Sequence, residues 1–102
     1  MSITIFFTCN DLNIQRKFRA NLYNMTSTIV YEGNLRTVCT HVKSGSQIQT
    51  DAPTDNQGKG ERFSPTDLLA TSLGVCAMTI MGIKARDMNV DLAGTRIEVE
   101  KI

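Results

Sequence analysis

At 102 residues the chain has room for one domain, and a small one for burying a full core by itself. A hydrophobic share of 41% beside 21% charged residues argues against a disordered chain and against a membrane protein. The formal charge of +1, with basic residues scattered rather than striped, lacks the footprint of a nucleic-acid binder. Cys9, Cys39 and Cys76 are too far apart for a zinc knuckle or a CxxC pair, and their odd number speaks against a secreted disulfide scaffold. Met1 to Cys9 is apolar but lacks the basic region and cleavage pattern of a secretory signal. No unbroken apolar run reaches the roughly 18 residues of a membrane span. The expected location is cytoplasmic.

Residues 1–24 read differently from the rest. Ser2 to Thr8 has the character of a short strand. Leu12, Ile14, Phe18 and Leu22 give a weak amphipathic helix, or else the whole stretch is an N-terminal extension with Met25 as the true start. The extension is the preferred reading. From Thr26 the pattern turns to β: Thr28 to Tyr31, a turn at Glu32-Gly33-Asn34, and Leu35 to Val42. A second turn at Lys43 to Ser46 then leads into Gln47 to Thr50. This predicts a three-stranded antiparallel meander. Asp51 to Arg62 is a long loop rich in Gly, Asp and Asn.

The strongest structural signal follows. Ser64 is an N-cap candidate, Pro65 sits at the first helical position and Asp67 lies in the first turn. A helix running to Met88 is predicted, apolar or small on every side through its middle, and therefore buried on every side. Three short strands do not suffice to cover it, so a second chain or further residues must. Asn89 and Gly94 mark the exit, and Thr95 to Ile102 alternates as a further strand that stops in mid-pattern.

Cys76 is the sharpest chemical candidate. On residue type alone it is a small core residue. A reactive thiol needs a lowered pKa, and Cys76 lies about three turns from the helix N-terminus, too deep for the dipole to supply it. Arg36 and Arg62 are the candidate cations. His41 is the lone histidine, with no acidic cluster to complete a metal site, so neither metal nor cofactor is expected. Gly58-Lys59-Gly60 falls short of a phosphate loop. Met78, Met81 and Met88 read as packing, and Cys9 and Cys39 as inert.

The stretch YEGNLR at 31–36, followed by DAPTDNQGKGERFSPTDLLATSLGVCAMTIMGI at 51–83, resembles the OsmC family of osmotically induced and organic-hydroperoxide-resistance proteins. The resemblance covers residues 25–102 and leaves out 1–24. It implies an α+β fold in which an N-terminal β-meander, a long buried central helix and a further strand belong to an intertwined homodimer. It places Cys76 at the peroxidatic position, with Arg36 or Arg62 holding the thiolate and Asp67 as carboxylate partner of the arginine. The implied partners are an organic hydroperoxide and a dithiol reductant; nucleic acid and membrane are not among them. Two departures stand out. Family peroxidases carry a Glu where this chain has Thr66, and their second cysteine lies in a C-terminal half that the sequence is expected to lack. The reading that follows is a thiol peroxidase; its rival is a non-catalytic dimer or small-ligand binder with an inert cysteine.

Overall fold

The computed structural model describes residues 25–102 together with Ser2, Ile3 and Ile5. Cys9, the amphipathic helix expected over Leu12 to Leu22 and most of the expected first strand lie outside the described residues.

Turn chemistry builds the sheet. Strand β1 (Ser27–Gly33) reverses into β2 (Arg36–His41) through Gly33, Asn34 and Leu35, all with left-handed φ of 87°, 54° and 61°. Glycine and asparagine accept that region readily, whereas Leu35 does not. The turn is accompanied by a register shift between Tyr31 and Gly33. A second reversal brings in β3 (Gln47–Asp51), giving an antiparallel sheet in the order β1-β2-β3. Thr37 faces Tyr31 on one side and Thr50 on the other, and Cys39 lies between Ile29 and Ile48. Opposed residues share a face. One face therefore carries Ile29, Tyr31, Cys39 and Ile48, while the other carries Thr28, Thr40, Gln47, Gln49, Arg36 and Asp51 around the Val30–Val38 pair.

The loop after β3 folds on itself. A 3-10 turn spans Thr54–Asn56, the Gly58 amide donates to the Pro53 carbonyl at 2.9 Å, and the Gly60 amide donates to the Ala52 carbonyl at 3.1 Å. Gly58 must be glycine there, because a Cβ would fall 1.8 Å from the Ala52 carbonyl oxygen. The loop closes where the Asp51 amide donates to the Phe63 carbonyl at 3.1 Å, beside a parallel bridge between Thr50 and Phe63.

Helix α1 (Pro65–Asp87) starts where the sequence places it. The Ser64 hydroxyl accepts from the Asp67 amide and the Asp67 carboxylate accepts from the Ser64 amide, a reciprocal capping box with proline at the first position. At ~1.5 Å per residue its 23 residues extend about 35 Å. At the far end Asn89 takes a left-handed φ of 55°. The Val90 amide returns to the Ala85 carbonyl and the Asn89 amide to the Arg86 carbonyl, which is a Schellman closure.

Two expectations change here. Thr95 to Ile102 forms no ladder with any described strand. It runs back along α1, with the Cγ2 atoms of Val99 and Ile97 3.2 and 3.4 Å from where a Cβ on Gly74 would sit, and with Lys101 reaching Asp67. The alternation in the sequence is satisfied by setting Ile97, Val99 and Lys101 against the helix; alternation specifies a two-faced segment but not a neighbouring strand. Second, the helix expected to be buried is largely exposed in this chain alone, and Ala85 is the one buried apolar side chain among the described residues. Leu69, Leu73, Ile80 and Ile83 are open to solvent, as are Ile29, Tyr31 and Ile48 on the sheet. The strands and α1 share almost no packed surface.

By length and composition α1 also passes as a membrane span, with a mean hydropathy of 1.6 over its most apolar 18 residues. A segment rich in charge lies along it. Arg96 and Glu98 pair at 2.9 Å beside the helix, and Glu100 and Lys101 follow. Immersing such charges at mid-bilayer costs about 2.5–3.5 kcal/mol for each Arg, Lys or Asp.

Candidate active site

Arg36 is fixed by strand register. Position 36 on β2 stands opposite position 51 on β3, so guanidinium and carboxylate meet across the ladder. The contact is a two-pronged fork, with Nε donating to Asp51 Oδ1 at 2.7 Å and Nη2 donating to Oδ2 at 2.8 Å. Nη2 also donates to Glu61 Oε2 at 2.8 Å, and the Glu61 amide donates to Asp51 Oδ2 at 3.1 Å. One arginine thus clamps both ends of the 52–60 loop. The two carboxylates differ: the Asp51 side chain is 1% exposed and Glu61 is 59% exposed, with Arg36 between them at 18%. The hydrogen bonds from Arg36 hold the Asp51 carboxyl below the usual carboxylate range, and those to Asp51 and Glu61 raise the guanidinium above its ordinary value.

Asp67 belongs elsewhere. Lys101 Nζ stands 2.7 Å from its Oδ1 and donates to Thr66 Oγ1 at 3.0 Å. The hydrogen bond from Lys101, followed by those from the Ser64 backbone and side chain, brings the Asp67 carboxyl down to about 2. The pairing of Asp67 with the arginine, expected from the sequence, is therefore replaced by Asp51 and Glu61. Asp67 is already committed to the helix cap and to the C-terminal segment. Arg62 donates from Nε to Gln49 Oε1 at 3.0 Å and from Nη1 to the Glu61 carbonyl at 3.0 Å, in an exposed position. Gly60, Glu61, Arg62, Phe63 and Asp67 line an open concavity of about 360 Å³ at the helix N-terminal end.

Cys76 is exposed. It follows Gly74 by two residues, about 200° around the helix, so it faces away from the stripe that receives Ile97 and Val99. Its neighbours on that side are Leu69, Leu73, Ile80 and Ile83, all uncovered. Cys39 is half-buried on the apolar face of the sheet, 4.0 Å from Thr37 Oγ1. No group of three or more potential metal ligands occurs among the described residues.

A crystal structure from Psychrobacter arcticus 273-4, provisionally named as an osmotic stress induced and detoxification response protein, superposes on this chain. The TM-score is 0.75 and the sequences are 63% identical over 76% of this chain. In sequence and fold this chain is similar to that OsmC-like stress-response protein. It spans 57% of the length of that relative. No family model matches the sequence, and no curated protein does. The OsmC-like order of antiparallel meander followed by long helix is the α+β architecture expected from the sequence. Asp51 and Glu61 are the residues that sequence reasoning missed. The signal was the second hairpin turn: once the Lys43 to Ser46 reversal pairs Thr40 with Gln47, Arg36 must stand opposite Asp51.

Proposed function

We propose that this OsmC-family stress-response chain is a cysteine-based thiol peroxidase acting on organic hydroperoxides through Cys76, as a cytoplasmic homodimer. The observation carrying the reading is the position of Cys76 at the centre of an uncovered apolar helix face. Covered by a second copy, that face becomes a dry pocket suited to the alkyl part of a peroxide, and one in which a cation acts on a thiolate with little screening. The thiolate attacks the terminal peroxide oxygen, the O–O bond breaks, and the alkoxide leaves as the alcohol on taking a proton. Sulfur is oxidised to sulfenic acid. A second thiol condenses with it, releasing water, and a dithiol reductant restores the thiol. Arg36 is the preferred cation, because register and buried Asp51 fix its position, whereas Arg62 is exposed.

The test exposes the purified protein to an organic hydroperoxide and to hydrogen peroxide while following Cys76 by intact mass. Fast oxidation that prefers the organic peroxide and disappears in Cys76→Ser is expected. Equal peroxide consumption by parent and variant would remove the reading. The rival, a non-catalytic dimer with an inert cysteine, draws support from Thr66 at the position of the family's Glu and from the saturation of Arg36 by two carboxylates. It predicts a Cys76 indifferent to peroxide.

A further inference from the structure

The sheet and α1 are joined at one small junction. Ser64 alone separates Phe63 from Pro65, the first residue of the helix. On the helix side stand Glu61, Arg62 and Phe63; on the sheet side stand Arg36, Gln49 and Asp51. The Asp51 amide donates to the Phe63 carbonyl at 3.1 Å, Arg62 Nε donates to Gln49 Oε1 at 3.0 Å, and the Glu61 amide donates to Asp51 Oδ2 at 3.1 Å. Arg36 closes the set by donating to both Asp51 and Glu61. Two guanidinium groups thus stand with two carboxylates, and Asp51 feels both, Arg36 more strongly than Arg62. Burial follows the same plan. Among the described residues it is found at Thr50, Asp51 and Ser64 of this junction, and otherwise at Ala85 alone. Elsewhere sheet and helix stand apart, although Ile29, Tyr31 and Ile48 on one and Leu69, Leu73 and Ile80 on the other are exposed. Burial of apolar surface is favourable and has no preferred direction, so a freely jointed helix would settle on its own sheet.

We infer that this junction is a rigid polar elbow, built on buried Asp51, that holds α1 off its own sheet and so keeps the two apolar faces of one chain from closing on each other. Apolar contact sets no angle, whereas hydrogen bonds are directional. Asp51 spends both oxygens on the joint: Oδ1 accepts from Arg36 Nε, and Oδ2 accepts from Arg36 Nη2 and the Glu61 amide. A buried ion pair of this kind is weak evidence for stability, and its use here is to specify one arrangement. The inference concerns the direction of α1 and not the reactivity of Cys76, so it stands apart from the peroxidase reading.

The experiment places spin labels at Lys43→Cys, in the turn before β3, and at Lys84→Cys, near the far end of α1. Cys9, Cys39 and Cys76 are changed to Ser, and Ile80→Asp is added so that self-association does not hold the helix in place. Pulsed dipolar spectroscopy reads the spread of the distance between the labels. A swing of about 30° carries the far end of this ~35 Å helix by about 18 Å, which such labels resolve. A single narrow distance is expected with Asp51 present. In Asp51→Asn the distribution should become at least twice as broad and reach to shorter distances. Equally narrow distributions in the two proteins overturn the inference, as does a broad one before Asp51 is changed. Glu61→Ala, a surface change, should broaden the distribution in the same direction. It decides the matter if Asp51→Asn fails to fold, an unbroadened distance then overturning the elbow.

Discussion

Gly58→Ala tests the loop geometry directly. The added methyl would sit 1.8 Å from the Ala52 carbonyl oxygen, 2.2 Å from its carbon and 2.5 Å from its Cβ. None of these is the free end of a flexible side chain, so the backbone must move by more than an ångström. Overpacking of this kind costs about 1–3 kcal/mol. The shift also breaks the Gly58–Pro53 and Gly60–Ala52 hydrogen bonds, each contributing about 1 kcal/mol. At about 4–8 °C per kcal/mol for a domain of this size, thermal unfolding should fall by on the order of 10 °C or more. Circular dichroism reads the midpoint, and amide exchange at Gly60 reports whether the loop has opened. Gly33→Ala is the control for conformation without crowding: its φ is 87° but nothing lies within 4 Å, so only the left-handed penalty of about 1–2 kcal/mol remains. A Gly58→Ala protein that melts with the parent and keeps Gly60 protected would refute the reasoning.

Ser64→Ala removes the acceptor for the Asp67 amide and should cost about 1 kcal/mol by urea titration, with Ser64→Asp restoring most of it. Asp67 and Asp51 both have lowered folded pKa values, so the unfolded chain binds more protons. Their stabilisation is present above the ordinary carboxylate pKa and is lost as pH falls, for Asp67 between about 4 and about 2. Lys101→Met should flatten that acid limb in melts taken from pH 5 to pH 2, whereas an unchanged limb would show that Lys101 does not set it. Ile80→Asp places a charge in the middle of the open helix face and should shift a self-associating chain to monomer in sedimentation velocity. A parent that sediments as a stable monomer at all concentrations would disprove the homodimer.

Most of the secondary structure was legible because its punctuation is local. Gly33-Asn34 and the Ser64-Pro65-Thr66-Asp67 start need only their own neighbours to act, and the strands and helix lie where they direct. Two things were not legible from pattern alone. Ile97, Val99 and Lys101 alternate like a strand, but period two is met as well by a helix groove as by a ladder. Asp67 looked like the partner of an arginine because it is an acid close to the helix start. The partner is instead set by hairpin register, which carries Asp51 to Arg36 from fifteen residues away. The nature of the Cys76 surroundings was half legible: an all-apolar helix announces that it needs cover without stating what provides it.

The separation of sheet from helix bears on how the chain comes to be folded. β1 and β2 are joined by two residues and β2 and β3 by five, while the helix is stopped at both ends by its own caps. Units built from contacts so near in sequence form on the scale of microseconds. Shielding Ile29, Leu73 and Ile80 requires a further surface, from a second chain or from further residues, and so is a later step than the closing of these local units. Newly made chains would thus acquire their shape before their shelter, and those side chains stay wet in the interval.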